Sequence, residues 1–263
     1  MKSLPGVIYS VLSIVFMGCY TPHFLPNTAP TPMFDQAGDV RLTGYAGTNS
    51  YDFHVAVSPL EHIGFVGAGS WSFGKKIEPA DKTTPENEIE WSHSHRYFEG
   101  AVAFYLSPFS LRKDMMKIEV LAGYGSGIAN ASLDAGKRTF LGFIIPTVRV
   151  DAKSQQYYIQ VNAAVTERNT GSSKNGQGGG DLEYGSIFRF SKTRYYDFVR
   201  DNKSLGLPSQ EGNFIQIGAF GTLYGNELGL TTQIGWLYPL ADDQNRPSYS
   251  PLYATIGLNI YLW

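Results

Sequence analysis

Cysteine is almost missing: Cys19 is the only one in 263 residues, so no intrachain disulfide is available and stability has to come from packing or from a surrounding bilayer. Charge is thin, at 17% of residues, and a net of −2 leaves no basic footprint for nucleic acid. Long apolar runs are absent as well. The first, residues 7–17, falls short of the ~20 residues a membrane helix needs, and no later stretch of that length is free of charge. A 3.6-residue period of useful length is also lacking, which removes helical bundles. Residues 176–180 are glycine-rich but lack the Lys-Ser/Thr and the helix of a phosphate cradle, so they read as a flexible connector.

The start of the chain does carry a pattern. Lys2, the apolar run and then Gly18-Cys19 have the order of a bacterial lipoprotein signal peptide, in which a small residue precedes the cysteine that is cut and lipidated. On that reading residues 1–18 are the signal peptide and Cys19 is the lipidation site. An ordinary cleaved secretory signal and an uncleaved anchor are the alternatives. Prolines 22, 26, 30 and 32 keep the following segment out of any ladder, so residues 19–37 read as an extended, Pro-rich tether between lipid and fold, with the folded domain at 38–263.

From residue 38 on, aromatics and glycine dominate. Seventeen tyrosines, sixteen phenylalanines and four tryptophans beside 29 glycines argue for strands cut by turns. Period-two alternation bears this out along ten runs, at residues 39–47, 51–58, 62–74, 94–106, 117–126, 155–167, 182–191, 214–223, 228–236 and 252–263. In the sixth, Tyr157, Ile159, Val161, Ala163 and Val165 oppose Tyr158, Gln160, Asn162, Ala164 and Thr166.

The composition of the two faces selects the architecture. The less apolar face is mostly Gly, Ala, Ser, Thr, Asn, Gln and Tyr with few charges, while loops such as 75–90 and 194–211 concentrate them. A soluble sandwich would expose a densely charged face. A membrane barrel tolerates neither charge on its lipid face nor an open edge, and runs of nine to thirteen residues suit tilted strands crossing an apolar band of ~25 Å. The expected fold is all-β, an antiparallel up-and-down transmembrane β-barrel of about ten strands, within bounds of eight to twelve, in the bacterial outer membrane. Residues 140–150 also look strand-like and extend the sixth strand above the membrane, unless they form one of their own and raise the count to twelve. Long connections should lie outside and short turns inside, with the lipidated end and Trp263 together on the periplasmic side. The 169–181 connection is long for an inside turn.

The expected lumen-facing polar residues are Arg41, Asp52, His54, Glu99, Lys117, Glu119, Glu183 and Arg189. Their mixed signs suggest an ion-paired filling rather than a wide channel, because buried charges persist when paired. Candidate chemistry is sparse. His93 and His95, at i, i+2 near the outer rim with Glu99 further along the strand, would hold zinc only if another strand gave a third ligand, so a solvated loop end is favoured and no metal or other cofactor is expected. Asp52 and His54 form an acid–histidine pair without an aligned nucleophile, and read as interior hydrogen bonding. Tyr261 and Trp263 look like the C-terminal aromatic signal by which barrel-insertion machinery recognises its substrates.

Gly44-Tyr45, the run Gly47-Thr48-Asn49-Ser50-Tyr51-Asp52, Val55-Ala56-Val57 and His62-Ile63-Gly64 resemble the opening of a group of lipidated outer-membrane β-barrel proteins of Bacteroidota. Cys19-Tyr20 with its proline-rich sequel, Tyr157-Tyr158-Ile159-Gln160, Phe214-Ile215 and Ile256-Gly257-Leu258-Asn259 are similar to the same group, and Val161 departs from it where proline is usual. The resemblance implies an outer-membrane barrel and no catalytic residues. The expected role is non-enzymatic: a lipid-anchored barrel presenting loops as a structural or accessory subunit for another outer-membrane protein or surface component. Expected partners are outer-membrane lipid and the insertion machinery, with no nucleic acid. A small pore for ions or solutes is the alternative, and a rim-site hydrolase a third.

Overall fold

A computed structural model describes residues 23–24, 27–47, 50–79, 88–111, 114–134, 139–140, 143–144, 148–167, 181–200, 203–206, 208–225, 227–240, 248–249 and 251–262. Residues 1–18, Cys19, the 176–180 stretch and Trp263 lie outside them. Ten long strands form the fold: β1 Val40–Gly47, β2 Ser50–Leu60, β3 Ile63–Pro79, β4 Glu88–Leu111, β5 Asp114–Asp134, β6 Val148–Glu167, β7 Asp181–Arg200, β8 Gln210–Tyr224, β9 Leu228–Pro239 and β10 Leu252–Leu262. Each pairs antiparallel with the next, and β10 returns to β1 through Thr255↔Gly47 to Leu262↔Val40. The sheet therefore closes as an up-and-down barrel of ten strands, which satisfies every inter-strand edge.

One end of the barrel, the turn end, carries the β2–β3, β4–β5, β6–β7 and β8–β9 connections together with the start of β1 and the end of β10. The other, the loop end, carries the remaining five connections. At the tight β2–β3 turn His62 takes a φ of 67°, and its Nδ1 lies 3.1 Å from the Tyr105 carbonyl oxygen.

Outward side chains form an apolar belt. On β6, Tyr157, Ile159 and Val161 are exposed on the outside between Lys153 and Glu167, the exposed charged positions above and below. The nine residues 157–165, at ~3.3 Å rise and ~40° tilt, span roughly 23 Å, the height of an outer-membrane apolar band. Aromatics crowd its loop-end margin: Trp71 meets Phe98 edge-on at 5.7 Å, Tyr124 lies 4.9 Å from Tyr157, and Tyr51 lies 5.8 Å from Phe73. Such rings favour the membrane–water interface.

Two expectations about extent change. Strands were expected at nine to thirteen residues, whereas β4 has 24, β5 has 21, and β6 and β7 have 20 each. Charged stretches read as loops continue the ladder, as Lys75↔Ser92, Ile77↔Glu90 and Arg194↔Glu211 show. Charge excludes a residue from lipid, but a ladder in water accepts it on either face. The barrel consequently rises into a tall wall over β4–β7, while β1, β2, β9 and β10 stop at 8 to 12 residues. Residues 140–150 divide: Val148 onward belongs to β6, and Thr139–Phe140 pairs with Phe143–Ile144 in a ladder of its own.

The larger change concerns the tether. Residues 27–35 form no regular element, with Met33 in the left-handed region at a φ of 47°, and they run inside the barrel rather than outside the fold, with Ala29, Met33 and Phe34 fully buried. At the loop end His23–Phe24 pairs in parallel with Ser248–Tyr249, a segment of the β9–β10 connection. At the turn end Gly38 N–H donates to the Ser58 carbonyl at 2.6 Å, and the chain enters β1. Residues 23–24 therefore sit at the end opposite to Leu262, where the sequence reading had placed the two termini together.

Candidate functional site

The barrel lumen gathers the buried polar chemistry of this chain. It is organised in tiers. At the loop end Tyr195, Phe198, Phe214 and Leu237 pack with Ala129, Val150 and Ala152 as an apolar cap. Beneath it, Arg189 Nη2 donates to Glu99 Oε2 at 2.6 Å, and its guanidinium lies over Tyr158 at 3.5 Å from the ring centroid. The plug segment occupies the rest.

The plug is held by side chains that read its backbone. Ala29 makes a two-way amide pair with Gln233: its N–H donates to Oε1 at 3.0 Å and its carbonyl accepts from Nε2 at 2.9 Å. Gln216 Nε2 donates to the Asn27 carbonyl at 3.4 Å, and Pro30 accepts from Gln160 at 2.5 Å and Asn162 at 3.1 Å. Thr28 donates its N–H (3.3 Å) and its hydroxyl to Asp52, and Phe34 N–H donates to Glu119 at 2.6 Å. Buried backbone groups are costly without partners, and prolines 30 and 32 help by removing two donors from the accounting. Near the turn end Lys117 reaches Glu183 at 2.6 Å, Asp35 at 2.8 Å and the Met33 carbonyl at 3.4 Å, while Arg41 pairs with Asp35 at 3.0 Å.

Apolar contacts seat the same segment. Ala29 and Met33 join Ala164, Ile187 and Phe220, and Phe34 joins Tyr105 and Leu121. A cavity of about 10 Å³ lies between residues 30–32 and the walls of β1–β3 and β10, room for about one water. Gly64 makes the Phe34 seat: a Cβ there would stand 2.2 Å from Phe34 Cε2. Gly64→Ala is expected to displace the ring and cost about 1–3 kcal/mol, by overpacking. The measurement is the unfolding midpoint followed by gel mobility with and without boiling, where an unchanged midpoint would remove Phe34 from its seat.

All eight charged or histidine residues assigned to the lumen are buried. The structure brings Glu99 to Arg189, Lys117 to Glu183, and Asp52 and Glu119 to the plug. His54 lies 5.0 Å from the Tyr45 ring, while Asp52 also accepts from Ser50 at 3.3 Å. His95 is buried with Nε2 3.2 Å from Ser154 Oγ and its ring stacked on Tyr97, whereas His93 is half-buried. Among the described residues no group of three metal-ligating side chains converges. Tyr261 faces the lumen, where Arg41 lies over its ring at 5.0 Å. Sequence reasoning missed the amides of Gln160, Asn162, Gln216 and Gln233. Their signal was an amide at inward parity on each of three strands, two of them on β6.

No protein-family model and no curated protein matches the chain. Among solved structures it is similar to one described as a NanC porin structure in a rhombohedral crystal form, at 11% identity and a TM-score of 0.25, covering 86% of this chain and 100% of that one.

Proposed function

We propose that this protein is a plugged, non-conducting and non-enzymatic barrel of the bacterial outer membrane, anchored by lipid at Cys19, that serves as an accessory subunit at the cell surface. One observation carries the reading: the lumen is filled by residues 27–35, whose backbone is hydrogen-bonded by wall side chains from β2, β5, β6, β8 and β9. A solute path would need that network dismantled. What is left to offer is the outside of the tall wall. Above the belt it presents Lys153 paired with Asp197 at 2.5 Å, and Glu211 between Lys192 and Arg194 at 3.1 and 3.2 Å. Exposed pairs of this kind add little stability, so exchanging them for pairs with a partner's charges costs the fold little. The resemblance to lipidated barrels of Bacteroidota supports the same placement.

The test is site-specific photocrosslinking in intact cells, with the photoreactive residue at Lys153, Lys192, Arg194 or Arg96, the last exposed on β4. A single partner captured in stoichiometric yield from adjacent positions, and not from Ile159 in the belt, is the expected result. Absence of any adduct at all four sites would sink the accessory role. Steady single-channel current from the intact chain would establish the pore instead.

A further inference from the structure

We infer that the chain enters its own barrel from the loop end, which sets Cys19, four residues before His23, within reach of the side of the membrane that the long loops face. Two independent observations fix the direction. The first is the parallel pairing of His23–Phe24 with Ser248–Tyr249, which belongs to a loop-end connection. The second is the order of plug contacts along the wall. Thr28 binds Asp52, two residues after β2 leaves the loop end; Ala29 and Pro30 bind Gln233, Gln160 and Asn162 midway; Phe34 binds Glu119 and Met33 binds Lys117, five and three residues from the turn-end start of β5. Asp35 then pairs with Arg41, the second residue of β1. The contacts run from the loop-end level at Thr28 to the turn-end level at Asp35, with Pro30 and Phe34 meeting the paired residues Asn162 and Glu119 at one level between them.

Reach makes the consequence firm. Cys19 stands four residues before His23, a span of at most ~14 Å, less than the ~25 Å belt it would have to recross. An acyl chain on Cys19 would therefore sit in the leaflet that faces the long loops, not in the leaflet at the turn end. The barrel works as a sleeve around residues 27–35, with residues 23–24 at its loop end. This rests on the proposed plugged state, and it adds a route and a side for the anchor.

The experiment uses the full chain with one cysteine added and a membrane-impermeant maleimide on whole cells. Thr21→Cys is compared with Leu205→Cys, exposed at the loop end, and Glu227→Cys, exposed at the turn end, with the unaltered chain setting the background from Cys19. Heat-modifiable gel mobility verifies that each barrel is closed. T21C is expected to label in intact cells to the same extent as L205C, while E227C labels only after permeabilisation. If T21C follows E227C instead, the inference is overturned. A second variant tests the route: Thr28→Cys with Asp52→Cys is expected to form a disulfide, and surface labelling of T21C without that bond would overturn threading through the lumen. Failure of the plugged-barrel reading is seen separately, as current from the unaltered chain.

Discussion

Deleting residues 27–34 is expected to turn an electrically silent barrel into a conducting one. One cavity beside the plug, lined by residues 30–32, holds about 10 Å³, room for a single water. Removal of eight residues frees the amides of Gln160, Asn162, Gln216 and Gln233 and the carboxylates of Asp52 and Glu119, all of which then require water. Those groups line one continuous wall, so hydrating them wets the path. The wall keeps five buried acids, Asp39, Asp52, Glu99, Glu119 and Glu183, against Arg41, Lys117 and Arg189, which predicts a preference for cations. Selectivity should fade as salt rises from 0.1 M to 1 M and the screening length drops from ~10 to ~3 Å. The cap of Phe198, Phe214, Tyr195 and Leu237 still crosses the loop end, so the deleted barrel should flicker, and adding Phe198→Ala and Phe214→Ala should make the current steady. Planar-bilayer recording is the measurement, with heat-modifiable mobility confirming a closed barrel. A closed but silent deletion variant would mean that the plug does not block the path.

How far this was visible in the sequence depends on the kind of information each residue carries. Strand identity was legible because lipid and lumen impose unlike faces at period two: from Tyr157 to Thr166 the even positions are all buried, while Tyr157, Ile159 and Val161 are exposed and Ala163 and Val165 half-buried. Strand extent was not, because charges at Lys75, Glu90 and Arg149 mark where lipid ends, and pairing continues past that level. The plug was hidden for a different reason. A proline-rich stretch without periodicity has the same appearance whether water or a lumen surrounds it. Its recognition lies in backbone groups, which carry no residue identity, and the matching clue sits far away in Gln160, Asn162, Gln216 and Gln233. Lumen aromatics were similarly ambiguous. Tyr158 opposes Gly123, and Tyr45 opposes Gly257, where a Cβ would stand 2.3 and 2.5 Å from the tyrosine ring. Aromatic and glycine abundance are thus one feature, a ring laid on a neighbour that lacks a side chain.

Arg189→Met should cost about 3–5 kcal/mol, the usual penalty when one member of a buried pair is removed and the other charge stays behind. The Glu99 side chain is 2% exposed and the Arg189 side chain 1%, so no solvent replaces the lost guanidinium. Tyr158 donates its hydroxyl to Glu99 Oε1 at 3.3 Å and offers its ring to Arg189, so the three groups act as one unit between β4, β6 and β7. The remaining hydroxyl contact cannot balance a buried carboxylate. Adding Glu99→Leu removes the stranded charge and should return most of the stability, because apolar replacement of a buried pair is often neutral or better. Urea unfolding followed by tryptophan fluorescence in detergent, with the slope against urea unchanged, measures both. The cycle also tells electrostatics from packing. If the pair acts through charge, the double variant is more stable than Arg189→Met alone. If Arg189 matters for the volume it fills over Tyr158, the two losses add, and the unit is a packing element whose charges are incidental.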